Sequence, residues 1–510
     1  MPDQQKAVID FLGDHFRAVH GSLKVITTHV SVIFLSGDKA YKMKRAVKFP
    51  FLDFRTLSAR RDACEKELEI NRRTAPTLYL AVTPVTSSED GFELGGAGKP
   101  VEWLVEMNRF DEDTQFDRLA AIERGLRRPI IEDLADVIAD FHAHGEISNT
   151  RGGFNGIRKI AENNVQSFDI LPAGLFDADL VKTVTTKTLQ DIDALQDVLE
   201  ARRQAGKVRA CHGDLHLRNI CLVGDKPTLF DAIEFSPDFS EIDVLYDLAF
   251  LLMDLDFHGL RRLAAFLLNR YLDVGAESAD AFRVLPVFLS MRAQIRAHVG
   301  AAIAASQDNP ADREREMEAA DRYLKCALGY LNPLPPRLVA VGGLSGSGKS
   351  RLAREIASHL GNAPGARVVR TDVVRKRLSG IHPNQSLGAD GYTPEMTEKT
   401  YQHFFAEAKA AMASGQCAVL DAVFASAGHR ARAEALAVEC GVPFQGLWVD
   451  APEEVRVHRV ETRKRNVSDV TTEIARQQSE YQLGAVNWPA ISSAGKKKET
   501  VRQALTVLGP

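Results

Sequence analysis

Apolar residues in the first hundred positions cluster in short runs of β-type composition. These runs predict strands over 30–36, 39–44 and 101–107. Between them, the segment 56–73 carries apolar residues at helical spacing and is predicted to be a helix. Residues 1–107 are therefore expected to form a strand-rich lobe.

The pattern becomes mainly helical from about residue 110 to residue 330. The segment 131–143 is amphipathic, whereas 243–257 and 279–305 are apolar over most of their length and are expected to be buried helices. A short irregular region, 208–235, interrupts them. A second, helical lobe is thus predicted over 108–330, which gives an α+β bilobal arrangement with the first.

Three prolines within 333–336 cannot lie inside a helix or a central strand, so 331–336 is predicted to be a linker. After it, strands and helices alternate. Strands are predicted over 337–341, 368–370, 418–420 and 444–449, and helices over 349–360, 395–413 and 428–440. Such alternation predicts an α/β domain with a parallel sheet over 337–510.

Composition changes this picture little. With 510 residues, about three domains are expected. Apolar residues make up 45% and charged residues 26%, which excludes a mostly disordered chain. A net charge of −4 gives no reason to expect a nucleic-acid or membrane partner. The six cysteines are scattered and no secretion signal or membrane span is recognisable, so a cytoplasmic location is expected.

Residues 343–350, GLSGSGKS, match the phosphate-binding loop pattern G-x-x-x-x-G-K-[ST]. Its glycines let backbone N–H groups converge on an anion, and the following helix offers its positive N-terminus. We expect Lys349 to reach the β- and γ-phosphates of ATP and Ser350 to bind Mg²⁺. The predicted nucleotide-binding residues are Gly343, Ser345, Gly346, Ser347, Gly348, Lys349 and Ser350.

Two acids follow later strands of the same domain. The segment containing Asp372 and Arg375 resembles the D-x-x-R element of small P-loop kinases, such as polynucleotide kinases and gluconate-kinase-like enzymes. The resemblance implies that Asp372 is the base for an acceptor hydroxyl and Arg375 a clamp, although Asp372 could instead cap the next helix. Asp421 ends an apolar strand, where it either helps to hold Mg²⁺ or caps the strand.

Arginines occur at 456, 459, 463 and 465, and the steps from 456 to 459 and from 459 to 463 have helical spacing. In small P-loop kinases a lid helix carries arginines that neutralise the transferring phosphoryl group. That resemblance implies a catalytic role for Arg459 and Arg463. The alternative is a solvated basic helix.

The segment 212–219, HGDLHLRN, places Asp214 five residues before Asn219, which is the spacing of a kinase catalytic loop. Twelve residues later, Asp231 ends another apolar run, where kinases place a metal-binding acid. Two acids and an amide around Mg²⁺ suit phosphoryl transfer, because they neutralise charge and align one oxygen nucleophile.

With FDAIEF at 230–235, this segment resembles the aminoglycoside phosphotransferase/choline kinase family, over roughly residues 25–330. The resemblance implies a protein-kinase-like bilobal fold that transfers phosphate from ATP with Mg²⁺ to hydroxyls of small molecules. It implies that Asp214 is the catalytic base and that Asn219 and Asp231 bind Mg²⁺. His212 is expected to support the loop, and His216 to be structural.

The segment 41–44, YKMK, resembles the strand that carries the ATP-phosphate lysine of that family. Lys42 and Lys44 point to one face because the strand period is two, so the sequence cannot choose between them. Lys42 is favoured here. Its expected partner on the next helix is Glu67, with Glu65 and Glu69 as alternatives. Residues 28–31 are a candidate phosphate-covering turn.

The sequence therefore predicts a tandem chain with two kinase-like sites, each supplied with a base, metal ligands and a phosphate anchor. The second resembles gluconate-kinase-like or zeta-toxin-like P-loop kinases. The expected partners are ATP, Mg²⁺ and small-molecule acceptors such as sugars, amino sugars or nucleosides. Alternatives are an ATP-hydrolysing regulatory switch, a toxin-type P-loop kinase controlled by the first domain, and antibiotic resistance.

Overall fold

The structure is a computed structural model that describes residues 3–49, 52–89, 91–275, 277, 281–462 and 471–509. Its N-terminal lobe is built on a six-stranded antiparallel sheet. The elements are α1 (Asp3–His20), β1 (Lys24–Thr27), β2 (Ser31–Ser36), β3 (Lys39–Lys44), β4 (Lys48–Phe49), β5 (Leu52–Asp53), α2 (Leu57–Asn71), β6 (Tyr79–Ser88), β7 (Gly91–Leu94) and β8 (Lys99–Asn108). The strand order is β1-β2-β3-β8-β6-β7.

Apolar side chains of α1 close one face of this sheet. Leu12 and Phe16 pack in one buried cluster with Phe34, Met43 and Leu104 of the central strands. Burying such side chains supplies about 2 kcal/mol each before entropic costs. The predicted strands are present, whereas α1 and the long strand β6 were not predicted.

The following region is mainly helical, as the sequence predicts. Its elements are α3 (Phe116–Ala121), α4 (Arg128–Ala143), α5 (Gly153–Asp169), α6 (Ala178–Ala194), α7 (Gln196–Gln204), β9 (Val208–Ala210), β10 (Ile220–Val223), β11 (Lys226–Leu229), α8 (Pro237–Ser240), β12 (Glu241–Asp243), α9 (Val244–Phe257), α10 (Arg261–Gly275), α11 (Ala281–Ala305) and α12 (Pro310–Tyr330). The irregular region 208–235 contains the antiparallel hairpin of β10 and β11.

The C-terminal region is an α/β fold around a five-stranded parallel sheet, which confirms the predicted architecture. Its elements are β13 (Leu338–Gly342), α13 (Lys349–Ala357), β14 (Arg367–Arg370), α14 (Thr371–Leu378), α15 (Pro394–Ala413), β15 (Ala418–Asp421), α16 (Ala427–Cys440), β16 (Phe444–Asp450), α17 (Glu453–Thr462), α18 (Thr472–Gln477), β17 (Ala490–Ser492) and α19 (Lys497–Leu508). The strand order is β14-β15-β13-β16-β17, and β13 lies at its centre.

The contacts within the chain divide it into two compact units. The first contains Met1–Ile157 and Glu200–Leu251, and the second contains Arg158–Leu199 and Leu252–Pro510. Helices α10, α11 and α12 therefore belong to the same unit as the parallel sheet. The domain boundaries at 107, 330 and 336 stay predictions. Within the described ranges, none of the helices combines the length and apolar character that a membrane span requires.

A buried polar junction joins α10 to strand β14 inside the second unit. Arg367 is 3% exposed, and its guanidinium lies 2.6 Å from both Asp273 Oδ1 and Glu407 Oε1. It also donates to Asn269 Oδ1 at 3.1 Å, and the same oxygen accepts from Val368 N at 2.8 Å. Arg367, the first residue of β14, is thus held by side chains of α10, which precede the linker in the sequence.

Candidate active sites

The loop after β9 carries the predicted catalytic residues of the first unit. Asp247 on α9 fixes its backbone, because its carboxylate accepts from His212 N at 3.0 Å and from Gly213 N at 2.8 Å. Gly213 has φ +83°, and a Cβ there would lie 2.7 Å from Phe239 O. Only glycine fits this turn without strain.

Asp214 stands at the centre of this loop with its carboxylate 38% exposed. Asn219 Nδ2 donates to Asp214 Oδ2 at 2.9 Å and to Asp214 O at 3.0 Å. His216 Nδ1 accepts from Arg218 N, so Nε2 carries the hydrogen and faces Asp214 Oδ2 at 3.3 Å. These donors orient an ionised carboxylate toward solvent, where an acceptor hydroxyl can reach it.

Asp231 follows the hairpin of β10 and β11 in a left-handed conformation, with φ +62°. Such a backbone is uncommon for residues other than glycine, and aspartate tolerates it better than most. Asp231 N donates to the Tyr79 hydroxyl oxygen at 3.1 Å, and the next N–H, of Ala232, donates to Asn71 Oδ1 at 2.9 Å. Two residues of the N-terminal lobe therefore hold the metal-binding candidate in place.

His212 also supports this segment from below. Its Nε2 lies 2.9 Å from Phe230 O, which can only accept, so Nε2 donates. Burial lowers the pKa of His212, against the opposing effect of Asp247 and Asp214, which favours the neutral ring. This arrangement agrees with the prediction from the sequence that His212 supports the loop.

The two candidate lysines of β3 share one carboxylate. Lys42 Nζ lies 2.8 Å from Glu67 Oε1, and Lys44 Nζ lies 2.5 Å from Glu67 Oε2. Lys42 also lies 2.6 Å from Asp231 Oδ1, whereas Lys44 contacts Glu234. The strand period of two thus places both amines on one face, and Lys42 is the one that reaches the metal-binding candidate.

Burial and charge compete strongly in this network. Burial lowers the pKa of Lys42, but Asp231 and Glu67 outweigh it and hold the pKa well above its usual value. Burial raises the pKa of Glu67, but Lys42 and Lys44 together hold it below its usual range. Both amines are therefore cationic and Glu67 is anionic at neutral pH.

The rival partners of the lysines lie elsewhere. Glu65 pairs with Arg61, and Glu69 pairs with Lys66, in both cases with exposed side chains of the same helix. The candidate phosphate-covering turn at 28–31 joins β1 to β2. Thr28 N donates to Ser31 O at 2.8 Å, and Arg45 donates to Thr28 O at 2.6 Å.

The predicted phosphate-binding loop of the second unit follows β13 and ends at the first turn of α13. Gly346 has φ +81°, and a Cβ there would lie 2.3 Å from Arg456 O. Gly348 has φ +94° and is the N-cap of α13, so the helix N-terminus faces the loop. Gly343 begins the loop, where a Cβ would lie 2.4 Å from Val449 O. The three glycines are thus required by the local geometry.

Arginines of α17 hold the carbonyl side of this loop. Arg456, which is buried, donates to Ser345 O at 3.3 Å and to Ala475 O at 3.0 Å. Arg459 donates to Ser347 O at 3.3 Å and to Ser493 O at 2.6 Å. The sequence suggested a lid that reaches over the phosphates, and the structure places Arg459 directly against the loop backbone. Arg463 lies outside the described residues.

Asp421 ends β15 beside β13, where its register partner is Val341. Its Oδ2 lies 3.4 Å from Arg370 Nε, while its Oδ1 is buried and has no hydrogen-bond partner within the described chain. A buried carboxylate oxygen without a partner is costly unless a cation or water binds it. A buried carboxylate oxygen of this kind fits a hard cation such as Mg²⁺, and the other predicted ligand, Ser350, lies in the first turn of α13.

Asp372 and Arg375 lie on α14, directly after β14. Asp372 is in the first turn, and Arg370 occupies the N-cap position, so Asp372 is not the N-cap residue. Arg375 is buried, donates to Gly391 O at 2.9 Å and to Thr397 Oγ1 at 3.2 Å, and lies over the Tyr392 ring. Its guanidinium is therefore held by the segment that precedes α15 and by the first turns of α15 itself.

Sequence reasoning missed several residues that shape the first site. Tyr79 lies in no recognisable motif, and Glu234 lies within FDAIEF but was given no role; each acts on a residue more than a hundred positions away in the sequence. Asn71 is the last residue of α2 and Asp231 lies far along the chain, so their proximity is not visible in the sequence. The only available signal was the acid of FDAIEF, which the motif already contained.

Two family models match this chain. The model described as "Phosphotransferase enzyme family" matches residues 51–282, and the model described as "AAA domain" matches residues 338–484. The first range contains Asp214, Asn219 and Asp231, and the second contains the glycine-rich loop. Lys42 and Lys44 precede the first matched range.

One curated relative aligns with nearly the whole chain, and solved structures align with parts of it. An uncharacterised protein of Mycobacterium tuberculosis is 30% identical over 493 residues, which cover 94% of each chain. A choline/ethanolamine kinase family protein from Mesorhizobium loti is 14% identical, covers 63% of this chain and 98% of its own, and has a TM-score of 0.37. A gluconokinase from Sinorhizobium meliloti is 22% identical, covers 35% of this chain and 93% of its own, and has a TM-score of 0.24.

Proposed function

Because the chain belongs to the family that joins a domain of the phosphotransferase enzyme family to an AAA-type P-loop domain, we propose that it is an ATP-dependent kinase with two phosphotransfer sites. The proposed acceptors are hydroxyl groups of small molecules. The observation that carries the proposal is that the Asp214–Asn219 loop is tied to the Asp231 segment, where Phe230 N donates to Asn219 O at 3.0 Å, and that Asp231 in turn pairs with Lys42.

At the first site, Lys42 binds the phosphates of ATP, and Glu67 holds that lysine in place. The acceptor hydroxyl lies against Asp214, and its oxygen attacks the γ-phosphorus. The bond from the γ-phosphorus to the β–γ bridging oxygen breaks, the proton moves to Asp214, and ADP leaves with the bond electrons. The partial exposure of Asp214 supports this role, since a base must meet an incoming substrate.

At the second site, the backbone N–H groups of the loop and Lys349 bind the phosphates, and Asp372 takes the proton of the acceptor. Arg459 donates to the loop carbonyls, which supports a role in holding the loop in its phosphate-binding conformation. Arg375 is proposed to contact the acceptor or its phosphate from the rim formed with Tyr392.

Mg²⁺ would be held by Asn219 and Asp231 at the first site and by Ser350 and Asp421 at the second, where it would neutralise charge on the phosphates. The unpartnered Asp421 Oδ1 supports the second assignment. We further propose that the protein works in the cytoplasm, where ATP is abundant and six unpaired cysteines stay reduced.

Transfer of labelled γ-phosphate from ATP into a small-metabolite extract tests this function. The unmodified chain is compared with Asp214→Asn and Lys349→Ala. Loss of the general base Asp214 lowers turnover by about a hundredfold to ten-thousandfold, and loss of Lys349 removes a phosphate-binding cation, so each variant should abolish its own class of labelled product. Lys39→Gln is the control for the loss of a lysine, because Lys39 pairs with Asn108 and belongs to neither proposed site.

The outcome that contradicts the proposal is release of inorganic phosphate without any labelled metabolite. If that release is lost in Lys349→Ala and unchanged in Asp214→Asn, the chain is an ATP-hydrolysing switch. Growth arrest that depends on Lys349 alone would instead indicate a toxin-type kinase.

A further inference from the structure

The buried lysine beside the phosphate lysine has its own carboxylate partner, and neither belongs to the catalytic set. Five charged side chains follow one another in contact: Asp231, Lys42, Glu67, Lys44 and Glu234. Lys44 and Glu234 form the inner end of this series. Their side chains are only 2% and 6% exposed, so substrate cannot touch them.

We infer that Lys44 and Glu234 are positioning residues that hold Glu67 and the Asp231 segment in place during nucleotide binding. The inference rests on the proposed function of the first site. It concerns residues that act through others, since Lys44 contacts Glu67 and Glu234 follows Asp231 by three positions.

The first reason is the charge balance around Glu67, whose side chain is completely buried. Leaving a buried carboxylate without a cation costs several kcal/mol. When ATP binds, the Lys42 amine is shared among Glu67, Asp231 and the phosphates, so its compensation of Glu67 weakens. Lys44 stays 2.5 Å from Oε2, the other carboxylate oxygen of Glu67, and keeps that carboxylate ionised and fixed.

The second reason is the strained backbone of Asp231. A left-handed conformation at a residue other than glycine costs about 1 kcal/mol or more and persists only where neighbours hold it. Tyr79 and Asn71 hold the amide side of this turn. The contact from Glu234 to Lys44 fixes its far side to strand β3, and this tie does not depend on where Lys42 points.

The third reason is that the network holds three carboxylates against two amines. The Glu234 side chain is only 6% exposed, so little solvent reaches this end of the network. A site with surplus negative charge favours a cation at its exposed end. That end is Asp231, whose carboxylate is 44% exposed.

Titration of a fluorescent ATP analogue, with and without Mg²⁺, tests the inference in full-length chains that carry Lys349→Ala to silence the second site. Glu234→Gln leaves the Lys42–Glu67 pair intact, so affinity without Mg²⁺ should stay within about twofold, whereas the gain in affinity from Mg²⁺ should fall by about tenfold. Lys44→Gln should lose the same gain, and Lys44→Arg, which keeps the cation, should retain it.

Lys39→Gln, a more exposed lysine of the same strand, should change neither affinity. If Glu234→Gln loses the same affinity with and without Mg²⁺, the pair has only a structural role and the inference is overturned. An unchanged gain in affinity from Mg²⁺ in Glu234→Gln would also overturn it. If Glu234→Gln fails to fold, Lys44→Arg provides the test instead, because loss of the Mg²⁺ gain in Lys44→Arg also overturns the inference. If Lys42→Met leaves all binding unchanged, the proposed function itself fails.

Discussion

Replacing Asp273 with asparagine tests whether the parallel sheet depends on helix α10 for its stability. Asp273 Oδ1 lies 2.6 Å from the Arg367 guanidinium, and the two side chains are 9% and 3% exposed. Removing one partner of a buried pair costs about 3–5 kcal/mol when the other charge is left without compensation. Here Glu407 remains beside Arg367 and asparagine still offers an oxygen, so we expect a loss of about 2 kcal/mol.

Urea unfolding followed by tryptophan fluorescence measures this loss. Trp448 and Trp488 lie in the core of the parallel-sheet region, so a Trp103→Phe background restricts the signal to that region. A loss of this size corresponds to a decrease in melting temperature of roughly 4–8 °C for a unit of this size.

Glu355→Gln is the matched control, because it neutralises an acid in the same junction. Glu355 pairs with Arg262 at 3.1 Å, but Arg262 is half exposed, so this change should cost less than about 1 kcal/mol. Equal losses for the two variants, within about 0.5 kcal/mol, would refute the reasoning that burial makes the Asp273 pair the stronger one.

Three further predictions follow from single contacts. Gly346→Ala places a Cβ 2.3 Å from Arg456 O at φ +81°, so nucleotide affinity measured in a Lys42→Met chain should fall by at least about tenfold. Burial raises the pKa of Glu407, but Arg367 and Arg377 outweigh it and hold the pKa at about 2, below the ordinary 4.5. This carboxyl therefore adds about 3 kcal/mol of stability above pH 5, lost as the pH falls from about 4.5 toward 2. Glu407→Gln should flatten that decline in urea midpoints. Asp247→Ala removes the acceptor of two buried N–H groups and should lower the free energy of unfolding by about 3 kcal/mol in thermal melts.

Local patterns in the sequence were enough to predict the architecture and the positions of those residues that belong to a recognisable motif. The strand period of two placed Lys42 and Lys44 on one face, and the structure brings both to Glu67. Glycine spacing located the phosphate-binding loop, because the left-handed conformations at Gly346 and Gly348 need glycine. The catalytic roles of these residues stay predictions.

Contacts between distant segments could not be predicted from one sequence. Glu234 lies 190 positions from Lys44, and its place in FDAIEF does not indicate which cation it contacts. Arg367 begins an apolar strand and reads as an exposed end, yet its partners come from α10 and α15. In both cases burial creates the demand for a counter-charge, and burial is a property of the folded chain.

The sequence also could not predict which side of the phosphate-binding loop the arginines of α17 contact. Helical spacing predicted that Arg456 and Arg459 share a face, and both do point to the phosphate-binding loop. Spacing could not tell whether that face meets the loop backbone or the open side where phosphates bind. The carbonyl oxygens of Ser345 and Ser347 decide it, because they need donors once the glycines turn the N–H groups inward.

The number of nucleotides bound per chain tests the central claim, two separate sites in one protein, most directly. Equilibrium dialysis with a non-hydrolysable ATP analogue and Mg²⁺ should give two per unmodified chain, one in Lys42→Met, one in Lys349→Ala and none in the double variant. A single site in the unmodified chain that Lys349→Ala removes and Lys42→Met leaves intact would contradict the account.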